Sequence, residues 1–135
     1  MKVDGTCHCG KIAFEAMVDP ASVTICHCTD CQTLTGSLFR ANIATPAESF
    51  ALLRGQPRIY IKTSAESGTH RAHAFCPDCG TPIYAAAVNN TPTYSLRVGT
   101  LRQRGELSRP IRQIWCRSAL PWSMDLRGIV RFDRQ

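Results

Sequence analysis

No apolar run in the chain approaches the roughly 20 residues that a membrane-crossing helix needs, which excludes a helical span. The opening Met1-Lys2-Val3-Asp4-Gly5 lacks the apolar core of a secretory signal, so the expected address is the cytoplasm, where thiols stay reduced. Internal repeats, linkers and long stretches of helical period are missing as well. The expectation is therefore a single domain over 1–135, large enough to bury roughly two thirds of the surface that its unfolded chain exposes. Also absent are a lysine-rich tail and aromatics stacked on a basic strand face, which argues against a nucleic-acid partner. A hydrophobic content of 44% excludes disorder.

What the chain has in excess is cysteine. Eight are present, as Cys7-x-Cys9, Cys26-x-Cys28-x-x-Cys31, Cys76-x-x-Cys79 and a lone Cys116. In a reducing compartment such clusters point to metal rather than to disulfides. Local spacing agrees, because two cysteines one residue apart close a small, strained disulfide ring but converge readily on an ion. Structural zinc takes four protein ligands, whereas catalytic zinc takes three and keeps one position for water or substrate. Seven clustered cysteines fit one site of each kind, although spacing alone allows several partitions of the sulfurs. A closed Cys3His centre using His27 or His8 is the competing arrangement, but each of these histidines lies between two cysteines and in an extended segment points away from them. Redox use of the C-x-x-C pairs is a weaker alternative. Cys116, between Trp115 and Arg117, reads as a packed or surface thiol.

Metal chemistry changes the charge balance. The formal net charge is +6. Seven coordinated thiolates and two zinc dications would contribute −7 and +4, leaving a mildly basic +3. Arginine is uneven, with nine from Arg97 onward against Glu106, Asp125 and Asp133. The favoured reading is a solvated face that balances negative metal sites, with an anionic ligand as the alternative.

Along the chain, Gly10 permits the tight bend of a zinc knuckle after Cys9. Residues 11–17 alternate Ile12, Phe14 and Ala16 with other side chains, the period of a half-buried strand, and 22–25 form a short extended segment leading to Cys26. The spacing over 29–35 predicts a turn or short helix, with Thr29 or Asp30 as N-cap and Gly36 as the stop. Residues 38–43 resume as a strand containing Phe39 and Arg40. Residues 50–53 and 58–63, joined by Arg54-Gly55-Gln56-Pro57, predict an antiparallel hairpin. His70 and His73 read as exposed residues around the strand that leads to Cys76. Strands are also expected over 83–88 and 93–98 around a turn at Asn89-Asn90, with loop from 99 to 110 and a late strand over 111–116. The fold class is mainly β and mostly antiparallel.

The motifs Gly5-Thr6-Cys7-His8-Cys9-Gly10, Cys26-His27-Cys28-Thr29-Asp30-Cys31, Thr35-Gly36-Ser37, Phe75-Cys76-Pro77-Asp78-Cys79-Gly80-Thr81 and Pro121-Trp122 resemble the glutathione-dependent formaldehyde-activating enzymes, which share a superfamily with centromere protein V. The resemblance implies a β-tent of several small antiparallel sheets built around two zinc ions. It implies Cys7, Cys9, Cys76 and Cys79 as ligands of a structural zinc, and Cys26, Cys28 and Cys31 as the catalytic zinc site. The implied activity is that of a carbon–sulfur lyase of the S-(hydroxymethyl)glutathione synthase kind, adding glutathione to formaldehyde. The alternative is a non-catalytic, zinc-stabilised binding module, with nucleic acid as its partner. Thr29, Asp30 and His27 are candidate proton donors near the site, and no one of them stands out. Arg40 and Arg97 are candidates to pair with glutathione carboxylates. Phe39 and Trp122 are candidate pocket walls, with core packing the commoner role for an aromatic.

Overall fold

A computed structural model describes residues 1–135. Ten strands form two sheets. β1 (Lys2–Thr6), β2 (Ala13–Met17) and β5 (Phe50–Arg54) make a three-stranded sheet in the order β1-β2-β5. The second sheet contains β3 (Thr24–Cys26), β4 (Arg40–Pro46), β6 (Arg58–Lys62), β7 (Arg71–Phe75), β8 (Pro82–Ala87), β9 (Thr93–Arg97) and β10 (Arg112–Ile114). Its order is β10-β3-β4-β9-β8-β7-β6, and every pairing is antiparallel except that of β10 with β3. One helix, α1 (Thr29–Thr35), follows the three-cysteine segment. The architecture is mainly β, as the sequence indicates.

The core lies where the two sheets meet. Val3, Ile12, Phe14, Ala16 and Val18 from the first sheet and its flanks pack with Ile43, Ile83 and Leu96 from the second, together with Cys7 and Cys76. Phe50 links the layers, its ring 4.6 Å from that of Tyr94, 5.3 Å from Tyr84 and 5.7 Å from Phe14. Two cysteines of the first cluster are thus part of the hydrophobic core.

The expected hairpin over 50–63 does not form. β5 pairs with β2 in one sheet, and β6 pairs with β7 in the other. Docking of Phe50 among three aromatic rings draws β5 to β2, and the Arg54 side chain donates to the Gly10 carbonyl at 2.6 Å. Gly55, at φ +79°, passes so close to Lys11 that a Cβ would stand 2.3 Å from its carbonyl oxygen. The turn residues are real, but they carry the chain between sheets. Three further expectations are corrected. The helix cap is Cys28, not Thr29 or Asp30, and the strand after α1 starts at Arg40, which leaves Phe39 outside it. Residues 98–106 wind into two short 3-10 helices rather than a loop.

Candidate metal centres and groove

The knuckle after β1 and the one after β7 face each other. The sulfurs of Cys7, Cys9, Cys76 and Cys79 lie within 4.8 Å of one another, with Cys7 to Cys9 at 3.5 Å and Cys9 to Cys76 at 3.8 Å. Tetrahedral coordination with metal–sulfur bonds of about 2.3 Å puts sulfurs about 3.8 Å apart, so these four fit a metal ion. Gly10 and Gly80, both left-handed at φ +77° and +75°, turn the chain tightly after Cys9 and Cys79. Backbone amides stiffen the cluster, with the Ile12 N–H donating to the Cys7 sulfur at 3.2 Å. The Thr81 hydroxyl accepts from the His8 amide at 3.0 Å and lies 3.1 Å from the Cys79 sulfur. That hydroxyl is the main reason the Cys79 thiol is pushed down to about 5. His8 itself is exposed and stands outside the sulfur group.

The other three sulfurs, those of Cys26, Cys28 and Cys31, also lie within 4.8 Å of one another. β3 delivers Cys26, Cys28 caps α1, and Cys31 sits in the first turn, so a strand end followed at once by a helix start gathers all three. The Cys28 sulfur accepts from the Cys31 N–H at 3.2 Å. A hydrogen bond with Cys31 pushes the Cys26 thiol down to about 5, and the same bond together with burial pushes Cys31 up. Three sulfurs so close ionise together only around a cation, which is the chemistry of a thiolate metal site. The donor set fits such an ion.

His27 is not a fourth ligand. It is fully buried, its ring turned away from the sulfurs, and its Nε2–H donates to Gln113 Oε1 at 2.8 Å. Gln113 lies on β10, whose parallel pairing with β3 holds the loop from the other side, and the His27 N–H donates to the Ile114 carbonyl. Gln32 completes the brace, donating to the carbonyls of His27 at 2.8 Å and Ser118 at 2.9 Å. Asp30 is engaged by Lys62 Nζ at 3.0 Å. Thr29 lines the groove near Cys28.

One face of the large sheet continues from the sulfurs. Residues directly opposite on paired strands share a face, and so do alternate residues of one strand. Cys26 stands opposite Arg40, Asn42 opposite Arg97, Ser95 (two before Arg97) opposite Ala85, and His73 opposite both Ala85 and Tyr60, so all of these side chains rise on the same side. The intervening residues Ile43, Leu96 and Ala74 face the core instead. Along this face and α1 runs a groove. A cavity of about 240 Å³ contains Leu34, Arg40, Tyr60, His73, Phe75 and Arg97. It shares Leu34 and Tyr60 with a smaller hollow that in turn shares Asp30 and Lys62 with a 230 Å³ cavity at Cys28.

Arg40 and Arg97, singled out in the sequence, are both brought here and both buried. Arg97 donates to Asn42 Oδ1 at 2.5 Å and to His73 Nδ1 at 3.2 Å. Burial and the neighbouring Arg40 push Arg97 down to about 9. His73 is half-buried rather than exposed, and burial plus Arg97 push it down to about 4. Phe39 stands 5.6 Å from the His27 ring and walls a neighbouring cavity with Arg40, while Trp122 is 54% exposed, so neither is a core residue. Sequence reasoning missed Tyr60, Lys62, Arg71, His73 and Gln113 as groove or bracing residues. The signal that bears on them is polar side chains at alternate strand positions, opposite buried apolar ones.

These features define a mainly β protein with two cysteine clusters able to hold metal, one of them in the core and one beside a groove. The sequence profile of the glutathione-dependent formaldehyde-activating enzymes matches residues 2–118, and the chain belongs to that family. A Schizosaccharomyces pombe protein described as an uncharacterized lyase is similar, with 28% identity over 91 residues, 67% of this chain. The match spans 62% of that relative's length. A crystal structure of a Rhodobacter sphaeroides protein has the same fold at a TM-score of 0.63, with 22% identity, covering 82% of this chain and 98% of that one.

Proposed function

We propose that residues 1–135 act as one zinc-binding domain in the cytoplasm, a carbon–sulfur lyase that adds a thiol, glutathione, to a small aldehyde, formaldehyde. In this reading Cys7, Cys9, Cys76 and Cys79 hold a structural zinc, and Cys26, Cys28 and Cys31 hold the zinc at which reaction occurs. The observation that carries it is the three-sulfur cluster whose Cys28 lines an open groove, with His27 turned away to Gln113. A site with three protein ligands keeps a position for substrate.

Zinc there would supply a cation that favours the ionised form of a thiol. In the addition, the thiol sulfur attacks the aldehyde carbon and a carbon–sulfur bond forms. The carbonyl π pair moves to oxygen, and the proton released by the thiol ends on that oxygen. Ionisation contributes little: lowering a thiol pKa from ~8.5 to ~6 raises the thiolate about thirtyfold at neutral pH, and reduced nucleophilicity offsets most of that. Holding both reactants in attack geometry contributes several kcal/mol, on the order of 7 where alignment is good. The chain is built for positioning. Cys28 is fixed as a helix cap, and Gln32 and β10 brace its loop.

Zinc-edge X-ray absorption on protein with its metal counted tests the reading. Two zinc ions per chain, with mean sulfur coordination rising toward four when glutathione is added, are expected. Two ions with complete and unchanging coordination would make both sites structural and turn attention to the binding-module reading.

A further inference from the structure

The groove holds more positive charge than its own residues neutralise. Arg40 and Arg97 are 4% and 7% exposed, and neither pairs with a carboxylate. Buried guanidinium groups without an ionised partner are rare because desolvation is not offset. Arg40 Nε and Nη1 and Arg97 Nε have no hydrogen-bond partner at all. The partners that Arg97 does have, Asn42 and His73, are neutral acceptors that orient it without cancelling its charge. Further along, Lys62 is matched by Asp30, while Arg71 lines the same groove. Three thiolates around a divalent cation carry a net −1, which offsets one of the two buried arginines and leaves the other.

We propose that Arg40 and Arg97 form an anion subsite, open to the groove beside Cys26, Cys28 and Cys31, that receives the carboxylate of a substrate. Both arginines line the 240 Å³ cavity, and planar guanidinium groups suit a carboxylate, which accepts paired hydrogen bonds. Leu34, Tyr60, Phe75 and Pro82 supply apolar walls for a short carbon chain. The cavity's 240 Å³ is the volume of about eight waters at ~30 Å³ each, room for a carboxylate with a few carbons but not for a tripeptide. A carboxylate seated there belongs either to an aldehyde partner that is itself an acid or to one end of the thiol, the rest of which lies along the groove. The inference rests on the proposed thiol addition only for what the carboxylate is attached to.

Titration calorimetry on the two-metal protein in chloride-free buffer tests it, using acetate against acetamide. Acetate is expected to bind and acetamide, the same shape without charge, is not; equal binding, or none by acetate, overturns the subsite. Arg40→Gln and Arg97→Gln, accepted only where circular dichroism and metal content match the parent, are expected to weaken acetate at least tenfold. Unchanged affinity in both overturns the proposal. Should either fail to fold, zinc-edge absorption on the unaltered protein with acetate decides: acetate that binds without adding an oxygen to the zinc supports the subsite, and acetate that binds only as a zinc ligand overturns it. Glyoxylate and glutathione then distinguish the source: tenfold weakening of glyoxylate in the variants puts the acid on the aldehyde, and weakening of glutathione puts it on the thiol. No weakening of either counts against the proposal. Uncharged 2-mercaptoethanol, read by zinc-edge absorption, tests thiol binding without the arginines, so failure of the lyase reading is seen separately.

Discussion

Replacing Cys76 with serine should unfold the protein, whereas replacing Cys31 should not. The contrast follows from what each cluster closes. Cys9 and Cys76, whose sulfurs are 3.8 Å apart, lie 67 positions apart in sequence, and Cys7 and Cys76 are core residues at 2% and 0% exposure. An unfolded chain cannot gather that site without closing a loop of roughly seventy residues. Cys26, Cys28 and Cys31 span one short segment, which costs about 2 kcal/mol less in loop closure on a (3/2)RT ln n basis. The short cluster therefore keeps much of its metal affinity when unfolded, and binding to both states adds little stability. A structural zinc contributes roughly 10 to 16 kcal/mol of apparent binding free energy, against a net domain stability of about 5 to 15. Cys76→Ser therefore takes away an amount comparable with or larger than the whole net stability. Cys31→Ser should lose one metal ion and still unfold cooperatively. Metal content, far-UV circular dichroism and urea titrations on both variants make the comparison. A Cys76→Ser protein with the parent's midpoint would refute the reasoning, and so would a Cys31→Ser protein unfolded to the same degree.

Stability should also fall as pH drops from about 6.5 toward 4 through His73. Burial and the cations facing it, Arg97, Arg40, Lys62 and Arg71, hold its folded pKa near 4, so in that window the unfolded chain binds a proton that the native chain refuses. Urea midpoints at pH 7, 6 and 5, at fixed metal, should decline less steeply for His73→Gln; parallel slopes would rule the residue out. Gly55→Ala should cost roughly 2 to 4 kcal/mol, from the left-handed backbone and the Cβ forced against the Lys11 carbonyl. A midpoint unchanged in urea would show that the backbone shifts freely there. Gln113→Leu should cost about 1 to 3 kcal/mol by orphaning the His27 Nε2–H, and should leave two metal ions bound. Loss of one ion would instead bring His27 or its loop into the coordination.

The fold was legible where local pattern and tertiary demand coincide. Phe14 and Ala16 alternate because one face of β2 is core, with Ile12 just before the strand on the same side, and the helix at 29–35 ends at Gly36 as its spacing predicts. The hairpin over 50–63 fails because alternation and turn residues say where the chain bends but not which strand it meets next. Partner choice is made by Phe50 finding Tyr84, Tyr94 and Phe14, residues distant in sequence. The parallel pairing of β10 with β3 is hidden for the same reason, and with it the Gln113 contact that turns His27 from the sulfurs.

Cysteine spacing revealed clusters able to hold metal, since the sulfurs within each half-cluster are local. Which halves join depends on the fold, and so does what surrounds them. Arg40 and Arg97 sit 57 positions apart and read singly as strand arginines. Only the registers Cys26 to Arg40 and Asn42 to Arg97 carry both onto the face of the three sulfurs. The core packing that fixes β3, β4 and β9 side by side thereby places two buried cations beside a thiolate cluster. The setting of the three sulfurs and the buried charge beside them are consequences of the same strand order, so a change of register by one residue would turn both arginines into the core and strip the groove of its two buried cations.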